Sequence, residues 1–422
     1  MSNLTIQIHD SIEGWIDAAE LRFRTGSKVE IEYDIDYATD FMGASDVRAL
    51  SVNYPVTLEP FSGDIPGYLI DLIPQGQILK RLLNLSGINK DTDYEAILSR
   101  IPLASPGNIR IKEAWSLIER DRPTYRHPGF KRHDLLKANT NFLIYMEEHG
   151  APIGGTSGAV GGAPKFLLRE DGAGHFHADG YLDDNATKKA WLVKLPFTDS
   201  TNSKLILRTE KSYYDILIEL GFQTGEALQW QQDILFIPRF DRIRRQDGRL
   251  HYYGLESFYS AHNINTHGQS LTHEANILLI ERFSSEPEKD VLEYIKRDLI
   301  NQALANTDNH GRNFSLLKSE GRISLSPLYD VTAMRLFEGD FIIPLTRWEP
   351  QHSDFTSRCE WICSHGKIDA TILKECLRDF YDQISPLEDL MIRYEVPDEV
   401  IKLTEIDRKQ CLTDLKSYLR SS

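Results

Sequence analysis

The stretch "ANTDNHGRNFSLL", residues 305–317, changes abruptly from polar to apolar side chains. It places Asp308 and Asn313 five positions apart, immediately before residues that are typical of a β-strand. Taken alone, the stretch is explained most simply as a polar turn, because Asp and Asn favour turns and helix caps. Its carboxylate and amide oxygens are also ligands that Mg²⁺ prefers in proteins.

The residues that follow predict a β-hairpin. The segment "FSLLKSEGRISLSPLYD", residues 314–330, reads as two strands joined by a turn that contains "SEGR". Such a hairpin returns Asp330 toward the edge that carries Asp308 and Asn313. Three side chains with oxygen ligands are therefore expected to converge through hairpin geometry.

Upstream segments supply the other parts that phosphoryl transfer requires, which include a cover for the phosphates and a Lys that holds them. These segments are, in chain order, a Gly-rich turn "GGTSGAVGGAPKFLL" (154–168), the strand "AWLVKLP" with Lys194, an amphipathic helix that opens with Glu210, and the strand "DILFIPRFDR" (233–242). A protein kinase uses the same order, and Asp308 and Asn313 have the spacing of a kinase catalytic loop.

Each of these parts has a simpler explanation on its own. Gly-rich turns occur in many β-rich domains, and this one lacks the Lys-Ser/Thr ending of a P-loop. Lys194 alone could extend its apolar stem toward water. The conjunction of the parts in one order favours a phosphoryl-transfer site over the separate explanations.

Composition narrows the class of protein further. The 422 residues predict two to three domains, and a hydrophobic content of 41% is sufficient for buried cores. A net charge of −15 argues against a general nucleic-acid or membrane binder. The N-terminal "MSNLTIQIHDSIEGW" has no basic region followed by an apolar one, so we expect a cytoplasmic protein.

The cysteines are too few for a disulfide framework and fit reduced thiols. They are Cys359, Cys363, Cys376 and Cys411. The segment "CEWICSH" could offer Cys359, Cys363 and His365 to a zinc ion, but the sequence has no second pair at ligand spacing. A structural metal is therefore the weaker interpretation of this segment.

Secondary structure is predicted from hydrophobic periodicity. Residues 4–60 read as short strands, namely "LTIQI", "KVEIEY", "RALSVNY" and "VTLEP". The segment "GYLIDLIPQGQILKRLLNLSG" reads as helical up to Gly87, and the region from about residue 270 is mainly helical.

Six of these segments together resemble one known family. The segments "NTDNHGRNFSLL", "LSPLYDVTAM", "WLVKLP", "IPRFDR", "RALSVNYP" and "LIPQGQILKRL" are similar to those of the HipA family of bacterial serine/threonine kinases. These kinases are the toxin halves of HipA/HipB-type toxin–antitoxin systems. The resemblance covers about residues 45–400, and "VGGAPKF" looks closer to stand-alone HipA-like proteins than to the toxins.

The resemblance implies an α+β, bilobal, protein-kinase-like fold in three parts. Residues 1–125 would form an extra N-terminal β-rich module, residues 126–255 a kinase N-lobe with the Gly-rich loop and the hinge, and residues 256–422 a mostly helical C-lobe. ATP would bind in the cleft between the lobes.

Site residues follow from the same resemblance. Asp308 would be the catalytic base or hydroxyl-orienting carboxylate, and Asn313 and Asp330 would bind Mg²⁺. Lys194 would hold the α and β phosphates of ATP, with Glu210 as its partner. The remaining predicted ATP-binding residues are Val160, Gly161, Gly162, Ala163, Pro164, Lys165, Pro238, Arg239, Phe240, His310, Gly311, Arg312 and Tyr329.

The hinge and the Gly-rich loop depart from the family pattern, and Arg312 replaces a residue that is commonly Lys in the family. At the hinge, Pro238 replaces an acidic residue, but only its carbonyl has to accept a hydrogen bond while Phe240 donates its N–H. In the toxins the Gly-rich loop carries a Ser that is autophosphorylated, and alignment on Lys165 places that position at Gly158. We therefore expect autophosphorylation at Ser157, or less readily at Thr156.

The function that the resemblance implies is that of an ATP-dependent serine/threonine protein kinase. Family members with characterised targets phosphorylate aminoacyl-tRNA synthetases, which inhibits translation and growth, and a HipB-like DNA-binding antitoxin would be the partner. Two alternatives stay open: a pseudokinase or binding module that acts through an antitoxin/DNA complex, and a lipid or small-molecule kinase. We expect neither membrane binding nor strong direct nucleic-acid binding.

Overall fold

The computed structural model describes most of the chain. The described residues are 3–24, 28–74, 76–101, 105–122, 127–136, 145, 152–153, 164–196, 198–266, 269–337 and 345–420, with only the backbone of 76–78 and 152–153. Among them, no helix is both long and apolar enough to span a lipid bilayer. Of the predicted site, Thr156, Ser157 and the loop 160–163 lie outside the described residues.

Strands are concentrated in the first two thirds of the chain. They are Asn3–Asp10 (β1), Gly14–Phe23 (β2), Lys28–Tyr33 (β3), Phe61–Asp64 (β4), Ile109–Ile111 (β5), Phe130–Lys131 (β6), Pro152–Ile153 (β7), Lys165–Asp171 (β8), His175–Ala178 (β9), Thr187–Lys194 (β10), Gln229–Gln231 (β11), Ile234–Pro238 (β12), Arg242–Arg244 (β13), Leu250–Tyr252 (β14), Gly254–Ser257 (β15), Ser315–Ser319 (β16) and Arg322–Leu325 (β17).

Helices dominate the last third. The α-helices are Ile35–Phe41, Gly67–Asp71, Gly76–Leu85, Tyr94–Arg100, Lys112–Asp121, Arg132–Leu136, Thr201–Glu219, Phe258–Ala261, His273–Phe283, Pro287–Ala303, Phe355–His365, Ala370–Ile384, Leu387–Arg393, Asp398–Leu403 and Glu405–Arg420, and the 3₁₀ turns are Asp179–Tyr181, Met334–Leu336 and Pro350–His352.

The chain folds into two compact units. The first unit comprises residues 1–195, 236–267 and 316–322, and the second comprises residues 196–235, 268–315 and 323–422. The predicted catalytic loop, with Asp308 and Asn313, belongs entirely to the second unit. The three-part domain boundaries expected from the sequence stay a prediction.

The first unit begins with a sheet of strand order β4-β3-β2-β1-β5. Strand β2 was not expected from the sequence, because its alternation of buried and exposed residues is interrupted. Opposite β1, the register changes between Ile6 and Gln7, so that one extra residue, Ala18, is accommodated in β2. Ala18 and Ala19 are consequently both buried. A β-bulge of this kind removes the period of two that marks a strand in a sequence.

Two of the predicted strands in this region are wrong. Residues 48–54 and 56–60 form turns and bends, with an isolated bridge between Ser51 and Tyr54. The Ser51 hydroxyl and the Val52 N–H both donate to the carboxylate of Glu256, at 2.5 and 3.0 Å. A distant side chain therefore takes hydrogen bonds that a neighbouring strand would otherwise accept.

A second sheet in the first unit has the order β12-β10-β8-β9-β6, and β7 also pairs with β8. Its longest ladder joins β8 and β10 in antiparallel register. Phe176, Trp191 and Phe236 contact one another on this sheet, with ring centroids between 5.9 and 6.5 Å apart. Trp191 lies on β10, so this aromatic cluster fixes the strand that carries Lys194 against β9 and β12.

Helices form the core of the second unit. The buried helix Pro287–Ala303 packs against His273–Phe283, Ala370–Ile384 and Glu405–Arg420. The predicted helix around residues 210–221 is confirmed and extends over Thr201–Glu219, followed by Gly221 at a φ of +73°. The predicted hairpin is confirmed as β16 and β17.

One buried histidine gives the first unit a pH-dependent stability. His9 stacks on Tyr252 at 3.9 Å and lies 3.9 Å from Asp184. Burial, which is the largest cause, lowers the pKa of His9 to about 4 together with the nearby Arg242 and His251, although Asp184 opposes the shift. The unfolded chain therefore binds this proton first as the pH falls below 6.5.

We predict that the free energy of unfolding decreases between pH 6.5 and pH 4 by roughly 3 kcal/mol on account of His9. The substitution His9→Phe keeps a ring against Tyr252 and should remove this pH-dependent contribution. The control His133→Phe, at an exposed position, should leave the contribution unchanged. Urea unfolding at pH 7, 5.5 and 4 measures the difference. Equal pH dependence in the wild type and His9→Phe would contradict the prediction.

Candidate active site

The loop after helix Pro287–Ala303 is held by its own polar groups. Ala305 adopts a φ of +51°, which ends the helix and turns the chain. The Asn306 side chain donates to Asn301 Oδ1 at 2.9 Å and accepts from the Asp308 N–H at 3.1 Å. Asp308 is only 2% exposed. The position of its carboxylate is therefore set by the loop and not by solvent.

Asn313 closes the same loop. Its Nδ2 donates to the carbonyl of Asp308 at 2.6 Å, which fixes the side-chain amide. Its Oδ1 is buried and has no hydrogen-bond partner among the described residues. A buried polar atom without a partner is unusual in a folded protein and indicates a ligand. An amide oxygen beside a carboxylate loop fits a hard cation such as Mg²⁺.

His310 faces the carboxylate of Asp308. Its Nε2 lies 3.4 Å from Asp308 Oδ1, and its Nδ1 accepts from the N–H of Arg312 at 3.2 Å. Because Nδ1 is an acceptor, the neutral ring carries its proton on Nε2, toward Asp308. The two atoms form no hydrogen bond with each other in this geometry, so His310 is a close neighbour of Asp308 and not a bonded one. Its predicted contact with the nucleotide stays a prediction.

Tyr329 brings Asp330 beside the end of the catalytic loop. Its hydroxyl donates to the carbonyl of Arg312 and bonds to the hydroxyl of Ser315, both at 2.7 Å. The adjacent Asp330 is buried at a φ of +60°, a backbone conformation that is uncommon for a residue other than Gly. Such outliers are typical of functional sites. Ser315 was missed in the sequence because no local pattern links it to Tyr329.

Two lysines face each other across the β8/β10 ladder. Lys165 and Lys194 are register partners, and both are buried, with 5% and 3% of their surface exposed. Directly opposite residues on neighbouring strands project to the same side, where like charges repel. Contact of the two lysines with a nucleotide phosphate stays a prediction. The sequence predicted both lysines as ATP-binding residues, but it did not predict that they lie opposite each other on neighbouring strands.

The predicted hinge segment is anchored by its charged side chain. The Arg239 N–H donates to the Ala190 carbonyl at 3.0 Å. The Arg239 guanidinium bonds to Asp179 at 3.1 Å and to Asp241 at 2.7 Å. Burial would raise the pKa of Asp241, but Arg239 and Arg242 outweigh it and hold that pKa well below its usual range. Contacts of Pro238 and Phe240 with adenine stay predictions.

The other predicted site residues lie in different units. Glu210 is buried on helix Thr201–Glu219 of the second unit, whereas Lys194 ends β10 of the first, so their ion pair stays a prediction. Among the described residues, no group of three or more His, Cys, Asp or Glu side chains is arranged to hold a metal ion. In the "CEWICSH" segment, burial raises the pKa of the Cys359 thiol to about 12, which disfavours the thiolate that zinc requires.

A comparison with known families identifies the family of this chain. The family model of the HipA-like C-terminal domain matches residues 157–385, more than half of the chain. The chain belongs to the HipA-like family. The matched region includes the two facing lysines, the catalytic loop and Asp330.

Two individual proteins resemble this HipA-like chain. The putative kinase Y4mE of Sinorhizobium fredii (strain NBRC 101917 / NGR234) is 31% identical over 102 residues, a match that covers 23% of this chain and only 24% of that protein. A chain of the Shewanella oneidensis MR-1 complex of HipA, HipB and operator DNA matches with a TM-score of 0.68 at 15% identity, covering 99% of this chain and 97% of that one. The predicted α+β, HipA-like fold class is confirmed.

The lysine pair of this HipA-like chain predicts a measurable effect on nucleotide binding. We expect Lys165→Ala to weaken ATP binding by about tenfold to a hundredfold, because it removes a buried charge-assisted contact to phosphate. Lys188→Ala, on the exposed side of the same ladder, should change the affinity by less than about twofold. Equilibrium binding of a fluorescent ATP analogue measures both. Equal affinities for the two variants would contradict a phosphate between the lysines.

Proposed function

We propose that this protein is an ATP-dependent kinase that transfers the γ-phosphoryl group to a serine or threonine hydroxyl of a protein. The observation that carries the proposal is the buried loop in which His310 lies 3.4 Å from Asp308 while the Oδ1 of Asn313 lacks a hydrogen-bond partner among the described residues. A polar turn that only caps a helix has no use for a buried acceptor of this kind.

In the proposed reaction, the hydroxyl oxygen of the substrate forms a bond to the γ-phosphorus of ATP. The bond from that phosphorus to the β,γ-bridging oxygen breaks, and ADP leaves. Asp308 accepts the proton of the hydroxyl, and the hydrogen bonds of its backbone with Asn306 and Asn313 keep the residue in position. Lys165 and Lys194 bind phosphate oxygens from the β8/β10 ladder.

Asn313 and Asp330 are the residues that would hold Mg²⁺. Bound Mg²⁺ supplies charge neutralisation on the phosphate oxygens. Tyr329, which precedes Asp330, hydrogen-bonds to Arg312 and Ser315 on either side of Asn313. These bonds tie the segment that carries Asp330 to the segment that carries Asn313. The donor set of one carboxylate and one amide oxygen fits the preference of this ion.

The substrate and partner follow from the family. We infer an aminoacyl-tRNA synthetase as the target, with inhibition of translation as the consequence, and a HipB-like antitoxin as the partner. The Shewanella oneidensis structure holds HipA together with HipB and operator DNA, which supports an antitoxin partner for this chain. Co-purification with the product of a neighbouring small reading frame tests the partner.

Radiolabelled ATP tests the activity and the substrate class together. The purified chain is incubated with Mg²⁺ and γ-labelled ATP, and with aminoacyl-tRNA synthetases plus their tRNAs or with phosphoinositide vesicles. We expect label on a protein acceptor and none on lipid. Label on lipid alone supports a lipid kinase, and no label on any acceptor contradicts the proposed function.

Autophosphorylation is proposed at Ser157, with Thr156 as the second site. Both hydroxyls lie in the Gly-rich loop, outside the described residues. Phosphosite mapping after incubation with Mg-ATP should find phosphate on Ser157, and Ser157→Ala should remove most of it. Phosphate at neither residue contradicts this part of the proposal.

A further inference from the structure

A short segment of the second unit, residues 345–349, is fixed against the catalytic loop. The N–H of Thr346 donates to the carbonyl of Asn309 at 2.7 Å, one residue after Asp308. The next residue, Arg347, bridges to Thr272 in parallel register. Its N–H donates to Leu271 at 3.1 Å, and its carbonyl accepts from the N–H of His273 at 3.1 Å. The backbone of Arg347 is therefore held on both sides.

Buried side chains below the segment reinforce this position. The Trp348 indole N–H donates to Asp298 at 2.9 Å, and its ring stacks on His273 at 5.1 Å. The same His273 lies 3.3 Å from Asp298 and bonds to Tyr294 at 2.9 Å. Tyr294 contacts Phe314, which follows Asn313 directly, with ring centroids 5.2 Å apart. Aromatic and polar contacts thus connect the segment to the metal-binding end of the loop.

Arg347 itself points its charge into solvent. Its side chain is exposed, although its backbone is among the most constrained in this region. Among the described residues, its guanidinium is in no ion pair, whereas Glu274 bonds to His352 through Oε1 and Asp298 bonds to Trp348 through Oδ2. A permanently charged side chain whose backbone is held by hydrogen bonds, and which lies beside the proposed catalytic loop, is suited to recognising a ligand.

We propose that Arg347 is a specificity-determining residue that binds an anionic side chain next to the acceptor hydroxyl of the protein substrate. The inference rests on the proposed kinase function, and it adds the class of substrate sequence that the site selects. Arg forms paired hydrogen bonds with planar carboxylates and with phosphates, which a lysine does not match. In a chain with a net charge of −15, an unpaired cation at this position also opposes the general repulsion of acidic substrates.

The test uses fluorescent peptides with a central Ser among Ala and Gly residues. One flanking position carries Asp, phosphoserine, Ala or Lys, and each of three positions on either side is tried. Binding is measured by polarisation, and phosphorylation is measured with labelled ATP. The full-length chain is compared with Arg347→Glu, Arg347→Lys and the control Arg378→Glu, an exposed Arg on helix Ala370–Ile384 of the same unit.

We expect the wild type to prefer an anionic peptide over the Lys peptide by about tenfold at one flanking position. Arg347→Glu should reverse the preference, Arg347→Lys should retain part of it, and Arg378→Glu should leave it unchanged. Preference for Asp over phosphoserine, or the opposite, identifies the anion that fits. A merely structural role of Arg347 would not produce these shifts in selectivity, because it would lower the affinity and the phosphorylation rate of all peptides alike.

Two results overturn the inference. One is a wild type that phosphorylates itself or a peptide without any preference for an anionic neighbour. The other is an Arg347→Glu variant that keeps the wild-type preference. A wild type that transfers phosphoryl to no acceptor contradicts the proposed function instead, and the polarisation data then decide on Arg347 independently.

Discussion

The variant Asp308→Asn is expected to lose at least about 100-fold, and up to about 10⁴-fold, in the rate of phosphoryl transfer, which is the usual contribution of a positioned general base. The substitution keeps the shape of the side chain and removes its negative charge. The loop hydrogen bonds from Asn306 and Asn313 involve the backbone of residue 308 and should survive. Transfer of label from ATP in a single turnover measures the loss.

Two measurements keep this prediction specific to the chemistry. Asp382→Asn, at an exposed position on helix Ala370–Ile384, removes the same charge and should retain the wild-type rate. Binding of a fluorescent ATP analogue to Asp308→Asn should stay within about threefold of the wild type, since the lysines that we propose to bind phosphate are intact. A variant that binds ATP and transfers phosphoryl at the wild-type rate would exclude Asp308 as the base.

The second large effect concerns stability and centres on Glu256. This carboxylate is 2% exposed and accepts from the hydroxyls of Ser51 and Ser260, at 2.5 and 3.0 Å. It also accepts from the N–H of Val52 and from Lys318 Nζ, both at 3.0 Å. All of these residues belong to the first unit. Removing one member of such a group leaves the others buried without a partner.

We predict that Glu256→Ala lowers the free energy of unfolding by about 3–5 kcal/mol, because the ammonium of Lys318 becomes an uncompensated buried charge. The double variant Glu256→Gln/Lys318→Met removes both charges and should recover part of this loss. Lys28→Ala breaks the exposed pair with Asp64 and should cost no more than about 1 kcal/mol. Urea unfolding monitored by fluorescence gives all three values.

A small effect of Glu256→Ala, comparable with that of Lys28→Ala, would show that water or rearranged neighbours replace the carboxylate. A double variant that is less stable than Glu256→Ala alone would show that the packing of Glu256 and Lys318, and not their charges, determines their contribution to the free energy of unfolding. Either outcome would contradict the role assigned to Glu256.

Local sequence patterns predicted much of the fold. Strands β1 and β3, the helices after residue 270 and the hairpin β16/β17 follow from periodicity, because buried side chains repeat every two residues in a strand and about every 3.6 in a helix. The pattern failed at β2, where a bulge buries Ala18 and Ala19 in succession, and at residues 48–60, where Glu256 takes over backbone and hydroxyl partners.

The sequence by itself pointed to the loop that we propose to be catalytic. The spacing of Asp308 and Asn313, followed by a hairpin that ends near Asp330, is a short-range property that can be read without coordinates. The same holds for the presence of Lys165 and Lys194 in their strands and for the low cysteine content. Residue type and separation along the chain carry this information because the loop makes most of its hydrogen bonds within itself.

Only the tertiary structure decided which distant groups act on these residues. The register that sets Lys165 opposite Lys194 and the bonds from Tyr329 to Arg312 and Ser315 depend on strand pairing and turn geometry. The bridge that fixes Arg347 beside the catalytic loop depends on packing between segments more than seventy residues apart. Such contacts form when separate elements bury their surfaces together, and no local pattern in the sequence encodes them.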